Sequence, residues 1–241
     1  MTTFTTGSVQ IDYAVEGDPD AFPVLALAPG GMGSVNEFWN KAPWNPRRQL
    51  RDQYRVIGMD QRNAGSSIAP VSANDGWQSY ADDQLALLDH LGVERCHVLG
   101  MCIGGPFVMS LVTREPSRFA GAVALQPAGV VGESTVLRDL YDSWAAQLAP
   151  SHPEADAAAW RSFGDNMWDG DFVMSVTREQ AAACQTPLLV MLGNDQHHPQ
   201  EVSRELAALV PHATLVERWK DDEVLAATDA TIKQFLAEHT P

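Results

Sequence analysis

The residues best suited to chemistry lie in the run His97-Val98-Leu99-Gly100-Met101-Cys102-Ile103-Gly104-Gly105. An apolar run ends there, a cysteine falls between glycines, and a helix-like run begins at once. This is the glycine–x–nucleophile–x–glycine spacing, with Cys102 as the nucleophile. Such a turn holds the nucleophile in a strained, exposed position and leaves no room for neighbouring β-carbons, hence Gly100 and Gly104. Gly105 lets the helix approach its strand closely. Free N–H groups at the start of the helix favour a thiolate. The competing reading is a small cysteine packed in a glycine-rich turn. Cys96 reads as a strand-core residue and Cys184 as a loop residue, and neither has comparable surroundings.

A carbonyl attacked by Cys102 needs hydrogen-bond donors where its oxygen becomes negative. The backbone N–H of Ile103 is one. A second is expected from Pro29-Gly30-Gly31-Met32-Gly33, at Gly31 or Met32. That run matches neither GxxxxGK[ST] nor GxGxxG, so phosphate or dinucleotide cradling is disfavoured and no cofactor is expected.

The elements that must position these groups alternate along the chain. Short apolar strands are expected over 9–14 (an edge strand), 24–28, 54–59, 96–101, 122–125, 187–192 and 213–217. Helices are expected over 80–91, closing at Gly92, then 103–113 and 226–239. Alternation with doubly apolar strands describes an α/β fold, a mostly parallel sheet with helices on both faces. Residues 130–185 break the rhythm with Trp144, Trp160 and Trp168 and read as a small helical cap. The core is then 1–129 and 186–241. The cap is either a lid that shapes a substrate pocket or an extra packing layer. Trp39 and Trp44 stand either at a pocket mouth or in ordinary packing.

Composition narrows the function classes. The chain has 241 residues, 45% of them hydrophobic, and a formal net charge of −15. Only three of its 16 basic residues are lysines, and they form no basic run. Nucleic acid and anionic membrane surfaces are therefore poor partners, which leaves a small-molecule substrate. Three cysteines without close pairing, and an N-terminal stretch that does not read as a secretory signal, suit a cytoplasmic setting. No further ligand joins His197, His198 and Asp195, so no metal is expected.

Together these motifs resemble the alpha/beta-hydrolase superfamily over roughly residues 9–236. The matching pieces are the glycine run at 29–33, Asp60-Gln61-Arg62-Asn63-Ala64-Gly65-Ser66-Ser67, the turn at Cys102, and Gly193-Asn194-Asp195-Gln196-His197-His198-Pro199. The chain looks most like the small capped esterase and perhydrolase-like branch. It resembles dienelactone hydrolases only in using cysteine. The resemblance implies an eight-stranded sheet, a helical cap and a nucleophile–acid–histidine triad for acyl chemistry. It assigns the acid to Asp195.

The histidine departs from the pattern. The family places it after the last strand, where this chain reads Glu217-Arg218-Trp219-Lys220-Asp221-Asp222-Glu223. His212 and His239 are poorly placed, His90 and His97 lie on the wrong side of the Cys102 strand, and His152 lies in the cap. His197 or His198, in the acid's own loop, remains. The expected function is hydrolysis of a small carboxylic ester or thioester through an acyl-cysteine. Alternatives are an acyltransferase or lyase using the same pocket, or a noncatalytic small-molecule binding protein on the same scaffold.

Overall fold

The computed structural model describes residues 2–241. One eight-stranded sheet runs through it in the order β1-β2-β4-β3-β5-β6-β7-β8. The strands are β1 Thr2–Thr6, β2 Val9–Glu16, β3 Pro23–Leu27, β4 Arg55–Met59, β5 Cys96–Cys102, β6 Phe119–Pro127, β7 Leu188–Met191 and β8 Ala213–Val216. Pairing is antiparallel for β1/β2 and β2/β4 and parallel elsewhere. The helices are α1 Pro46–Gln49, α2 Trp77–His90, α3 Gly104–Arg114, α4 Val136–Leu148, α5 Ala157–Trp168, α6 Arg178–Ala183, α7 Gln200–Leu209 and α8 Leu225–His239.

The expected edge strand at 9–14 is second from the edge, covered by β1. Thr2–Thr6 has only Phe4 as an apolar signal and is largely exposed, so nothing in its pattern announces a strand. Helix α2 starts three residues before the expected 80, because Trp77 already buries its ring and donates from Nε1 to the Met167 carbonyl at 3.0 Å. Its buried positions Trp77, Tyr80, Ala81, Gln84, Leu87 and Leu88 follow the helical period. Gly92 closes it at φ 65°.

The central strands are buried on both faces, and neighbouring side chains enter opposite core layers. Cys96 and Val98 of β5 join the layer beneath α2, α3 and α7, whereas Leu99 and Met101 join the layer beneath α8. No helix among the described residues is long and apolar enough to cross a membrane.

The loop after β4 holds the loop after β3. Asp60 accepts from the Asn36 amide at 2.8 Å, and the Gln61 amide donates to the Ser34 carbonyl at 3.0 Å. Arg62 is buried between acids: Nε and Nη2 donate to the two oxygens of Asp83 at 2.7 and 2.9 Å, and Nη1 donates to Asp75 at 2.8 Å. Asn166 of α5 donates to the carbonyls of Ala73 and Asp75 at 3.0 and 2.8 Å, which ties the helices between β6 and β7 to this network.

Candidate active site

Strand β5 ends at Cys102, whose φ of 60° lies in the left-handed region. A side chain there costs roughly 1–2 kcal/mol, so the surrounding turn must hold it. Helix α3 begins two residues later, at Gly104. A β-carbon on Gly104 would stand 2.5 Å from the Leu27 carbonyl oxygen, so only glycine lets β3 and this turn meet. The Cys102 carbonyl accepts from the Ala128 amide at 2.9 Å, just beyond the end of β6.

The next residue carries the connection onward. The Gly129 amide donates to the His197 carbonyl at 3.3 Å and so holds the loop after β7 beside the Cys102 turn. That loop is a tight turn closed by His198 N–H to Asp195 C=O at 3.1 Å and Asp195 N–H to His198 C=O at 3.3 Å. Asp195 reinforces it from its side chain: Oδ1 accepts from the amides of His197 and His198 at 2.9 and 3.1 Å. Its Oδ2 is 2.9 Å from His198 Nδ1. Aspartate and histidine three residues apart thus meet within one turn.

His198 is buried, and its Nε2 makes no hydrogen bond. Cys102 stands beside it as the group that most favours its charge. Burial opposes a charged imidazole, but the sulfur and the Asp195 carboxylate outweigh it and raise the His198 pKa. Burial likewise opposes a thiolate. His198 and the amides of Gly30 and Ile103 outweigh it and lower the Cys102 pKa. Burial pushes Asp195 up, while His198 and the two turn amides bring it down on balance. All three shifts run toward the charged forms, a thiolate, an imidazolium and a carboxylate.

Cys102 opens onto a cavity of about 510 Å³. Gly31, Met32 and Ile103 line it together with Cys102, His197 and His198, so all the site residues expected from sequence except Asp195 border one space. Asp195 reaches it through His198. In the glycine loop the amide of Gly30 helps to lower the Cys102 pKa, while Gly31 and Met32, the expected oxyanion donors, line the cavity. Gly30 takes φ 128° and packs against Phe38, a conformation that only glycine adopts freely. His197 is half-buried, with Nδ1 3.7 Å from Asp195 Oδ1. The opposite wall is α4, through Leu137, Leu140, Tyr141 and Trp144. Their i, i+3, i+4, i+7 spacing is a helix face that the sequence displays. Trp168 also lines the cavity, while Trp160 packs inside the helices against Trp144 and Phe163.

Trp39 and Trp44 are in the core and do not reach the pocket; the aromatic ring supplied there is Phe38. His90 packs against Phe4, His97 bonds Thr240, and His152 bonds Glu154, all apart from Cys102. After β8, the position without a histidine is filled structurally. Trp219 is buried and donates to the Leu192 carbonyl at 2.9 Å, and Lys220 donates to Gln126 at 2.8 Å. Among the described residues, no group of three or more histidine, cysteine, aspartate or glutamate side chains forms a metal-binding set.

A sulfur at a strand–helix turn, beside an imidazole held by a carboxylate, at the edge of a parallel sheet, has the layout of a nucleophile, a base and an acid. The family model for the alpha/beta hydrolase fold matches residues 23–151, and the chain belongs to that family. Among named relatives, a Caulobacter vibrioides RutD, described as a candidate carbamate hydrolase, is 28% identical over 156 residues, or 64% of this chain and 56% of that protein. The chain therefore spans little more than half the length of that relative. A Bacillus subtilis protein named as an uncharacterized carboxylesterase is 24% identical over 229 residues, covering 83% of this chain and 72% of its own. Among solved structures, the enol-lactonase of Burkholderia xenovorans LB400 superposes with a TM-score of 0.73 at 20% identity, covering 98% of this chain and all of that one, a likeness of fold.

Proposed function

We propose that this hydrolase cleaves small, uncharged carboxylic esters or thioesters through an acyl–Cys102 intermediate. The observation that carries the reading is the buried His198 Nε2, free of oxygen and nitrogen partners beside the Cys102 sulfur, with Nδ1 bound to Asp195. In the first half-reaction the thiolate attacks the carbonyl carbon, and the oxygen becomes negative near the Ile103 amide and the loop 30–32. The His198 imidazolium gives its proton to the leaving group, and the acyl-thioester remains. In the second, neutral His198 takes a proton from water as water attacks the thioester; the thiolate departs and the carboxylic acid is released. Asp195 keeps the imidazole oriented and stabilises its charge.

The cavity supports an uncharged substrate. No lysine, arginine, aspartate or glutamate lines it, and Phe38, Leu137, Tyr141, Trp144 and Trp168 form much of its wall. The names of the relatives fit ester or carbamate cleavage. Three free cysteines suit a reducing compartment, and a cytoplasmic location goes with the proposal.

The test is intact-protein mass after brief mixing with 4-nitrophenyl hexanoate, with nitrophenol release followed in parallel. The expected result is a hexanoyl adduct with many turnovers on the wild type and neither on Cys102→Ala. One persistent equivalent would point to an acyltransferase without its acceptor. Absence of any adduct, with turnover retained in Cys102→Ala, would overturn the covalent route.

A further inference from the structure

The site combines a cysteine nucleophile with a narrow set of proton donors. His198 is the only buried acid beside Cys102, and it must serve both the sulfur and the leaving group. The other polar groups nearby are engaged or remote. The Tyr141 hydroxyl donates to the Trp160 carbonyl at 2.7 Å, and Lys220 is held by Gln126 at 2.8 Å. His197 is half-exposed and leans toward Asp195. No lysine or arginine lines the cavity, so no fixed cation is available to a departing alkoxide.

We infer that, given the acyl–Cys102 reading on which this rests, the enzyme strongly prefers acyl groups carried by a thiol, a phenol or an enol over simple alkyl esters. The reason is how the tetrahedral intermediate breaks down. Attack forms a carbon–sulfur bond and moves the carbonyl π pair onto oxygen. Collapse restores the carbonyl and expels either the Cys102 thiolate or the leaving group. The less basic of the two departs more readily. A thiol has a pKa of about 8.5 and a phenol about 10, so the two compete evenly. An alkanol oxygen is roughly as basic as hydroxide, whose parent water has a pKa of about 15.7. The one His198 proton eases the departure of an alkanol, but the carbon–sulfur bond still breaks more often, and most of an alkyl ester returns unchanged to solution. A serine in the same place would show a weaker bias, since its alkoxide is as poor a leaving group as the alkoxide it must expel.

The expected discrimination follows from the gap between phenol and alkanol, about 6 units. A leaving-group sensitivity of about 0.5 per pKa unit, taken equal to that of the attacking thiol in thiol exchange, gives about a thousandfold preference. The test uses leaving groups matched in shape: phenyl against cyclohexyl hexanoate, and S-ethyl thiohexanoate against ethyl hexanoate. The expected wild-type kcat/KM ratio is about 10³ for each pair, falling at least tenfold in Cys102→Ser. Since the serine variant can lose activity altogether, acyl-enzyme formation on the wild type is followed by intact mass as well. Phenyl hexanoate should give the hexanoyl adduct within seconds, and cyclohexyl hexanoate none.

Cyclohexyl hexanoate within tenfold of the phenyl ester, or acylating Cys102 at a similar rate, would overturn the leaving-group inference and leave the acyl-cysteine reading standing. An unchanged ratio in an active Cys102→Ser would do the same, because it would trace the preference to the esters themselves. No adduct from any of the four esters would overturn the acyl-cysteine reading, and the inference with it.

Discussion

Replacement of His198 by glutamine separates the two adjacent histidines and measures what the proposed triad contributes. His198 Nδ1 lies 2.9 Å from Asp195 Oδ2 and its Nε2 stands free beside the sulfur, whereas His197 Nδ1 is 3.7 Å from Asp195 and its ring is half-exposed. His198→Gln keeps volume and polarity but removes both the base and the cation. General acid–base catalysis by one positioned group contributes about 10²–10⁴-fold, or roughly 3–5 kcal/mol of barrier at about 1.36 kcal/mol per tenfold. Nothing else in the cavity replaces it, so kcat/KM on a phenyl ester should fall by about that factor. The fall has two sources. Cys102 is buried, and without His198 less opposes the desolvation that disfavours its thiolate, so its pKa rises. Water attack on the acyl-thioester also loses its base, so whatever acyl-enzyme forms should persist. The assays are steady-state kinetics, intact mass, and the pH dependence of iodoacetamide alkylation of Cys102. Alkylation of the wild type should rise at lower pH than an ordinary thiol, and that of His198→Gln at higher pH. His197→Ala should keep activity within about threefold, since it makes no contact with the sulfur that the mechanism uses. Retention of activity within tenfold in His198→Gln, or an equal loss in His197→Ala, would refute this assignment.

Asp195→Asn should lower kcat/KM by about 10²–10⁴-fold through loss of the imidazole's orientation and charge partner, with little change in KM; comparable kcat would remove Asp195 from the site. Gly105→Ala places a β-carbon 2.5 Å from Pro127 Cβ and should cost about 1–3 kcal/mol, read as a lower midpoint in thermal denaturation. Arg62→Met leaves Asp83 and Asp75 buried without their cation and should cost about 3–5 kcal/mol, or roughly 6–20 °C in Tm. The loss should grow with pH. Burial raises the Asp83 pKa and Arg62 opposes that, so in the variant the folded state binds a proton that the unfolded state releases above about pH 4. Denaturation at pH 5 and pH 8 checks the sign, and an equal loss at both would contradict it.

Much of this protein is written locally. Strands β3, β5 and β7 are short apolar runs, and the two faces of β5 feed two core layers because successive side chains alternate. The Cys102 turn is legible because its demands are met by neighbours in the chain: a left-handed cysteine, glycines where backbones touch, and a helix starting at once. The turn joining Asp195 to His198 is also local, three residues closed by its own amides. By contrast, β1 was hidden in a threonine-rich exposed segment whose pattern carries no burial signal.

Three-dimensional packing decided how these pieces meet. Sequence left His197 and His198 equivalent; the turn buries one ring against Cys102 and leaves the other toward solvent. The loop reaches the sulfur because β5, β6 and β7 are adjacent, with Ala128 bonded to Cys102 and Gly129 bonded to His197 across consecutive residues. The histidine missing after β8 is a vacancy in the sequence pattern only, since Trp219 and Lys220 fill that loop with their own bonds. It also took the folded chain to show that Trp39 and Trp44 are core. Local patterns report what a residue needs from its chain neighbours; distances between segments about 95 residues apart in sequence depend on strand order, which no single segment encodes.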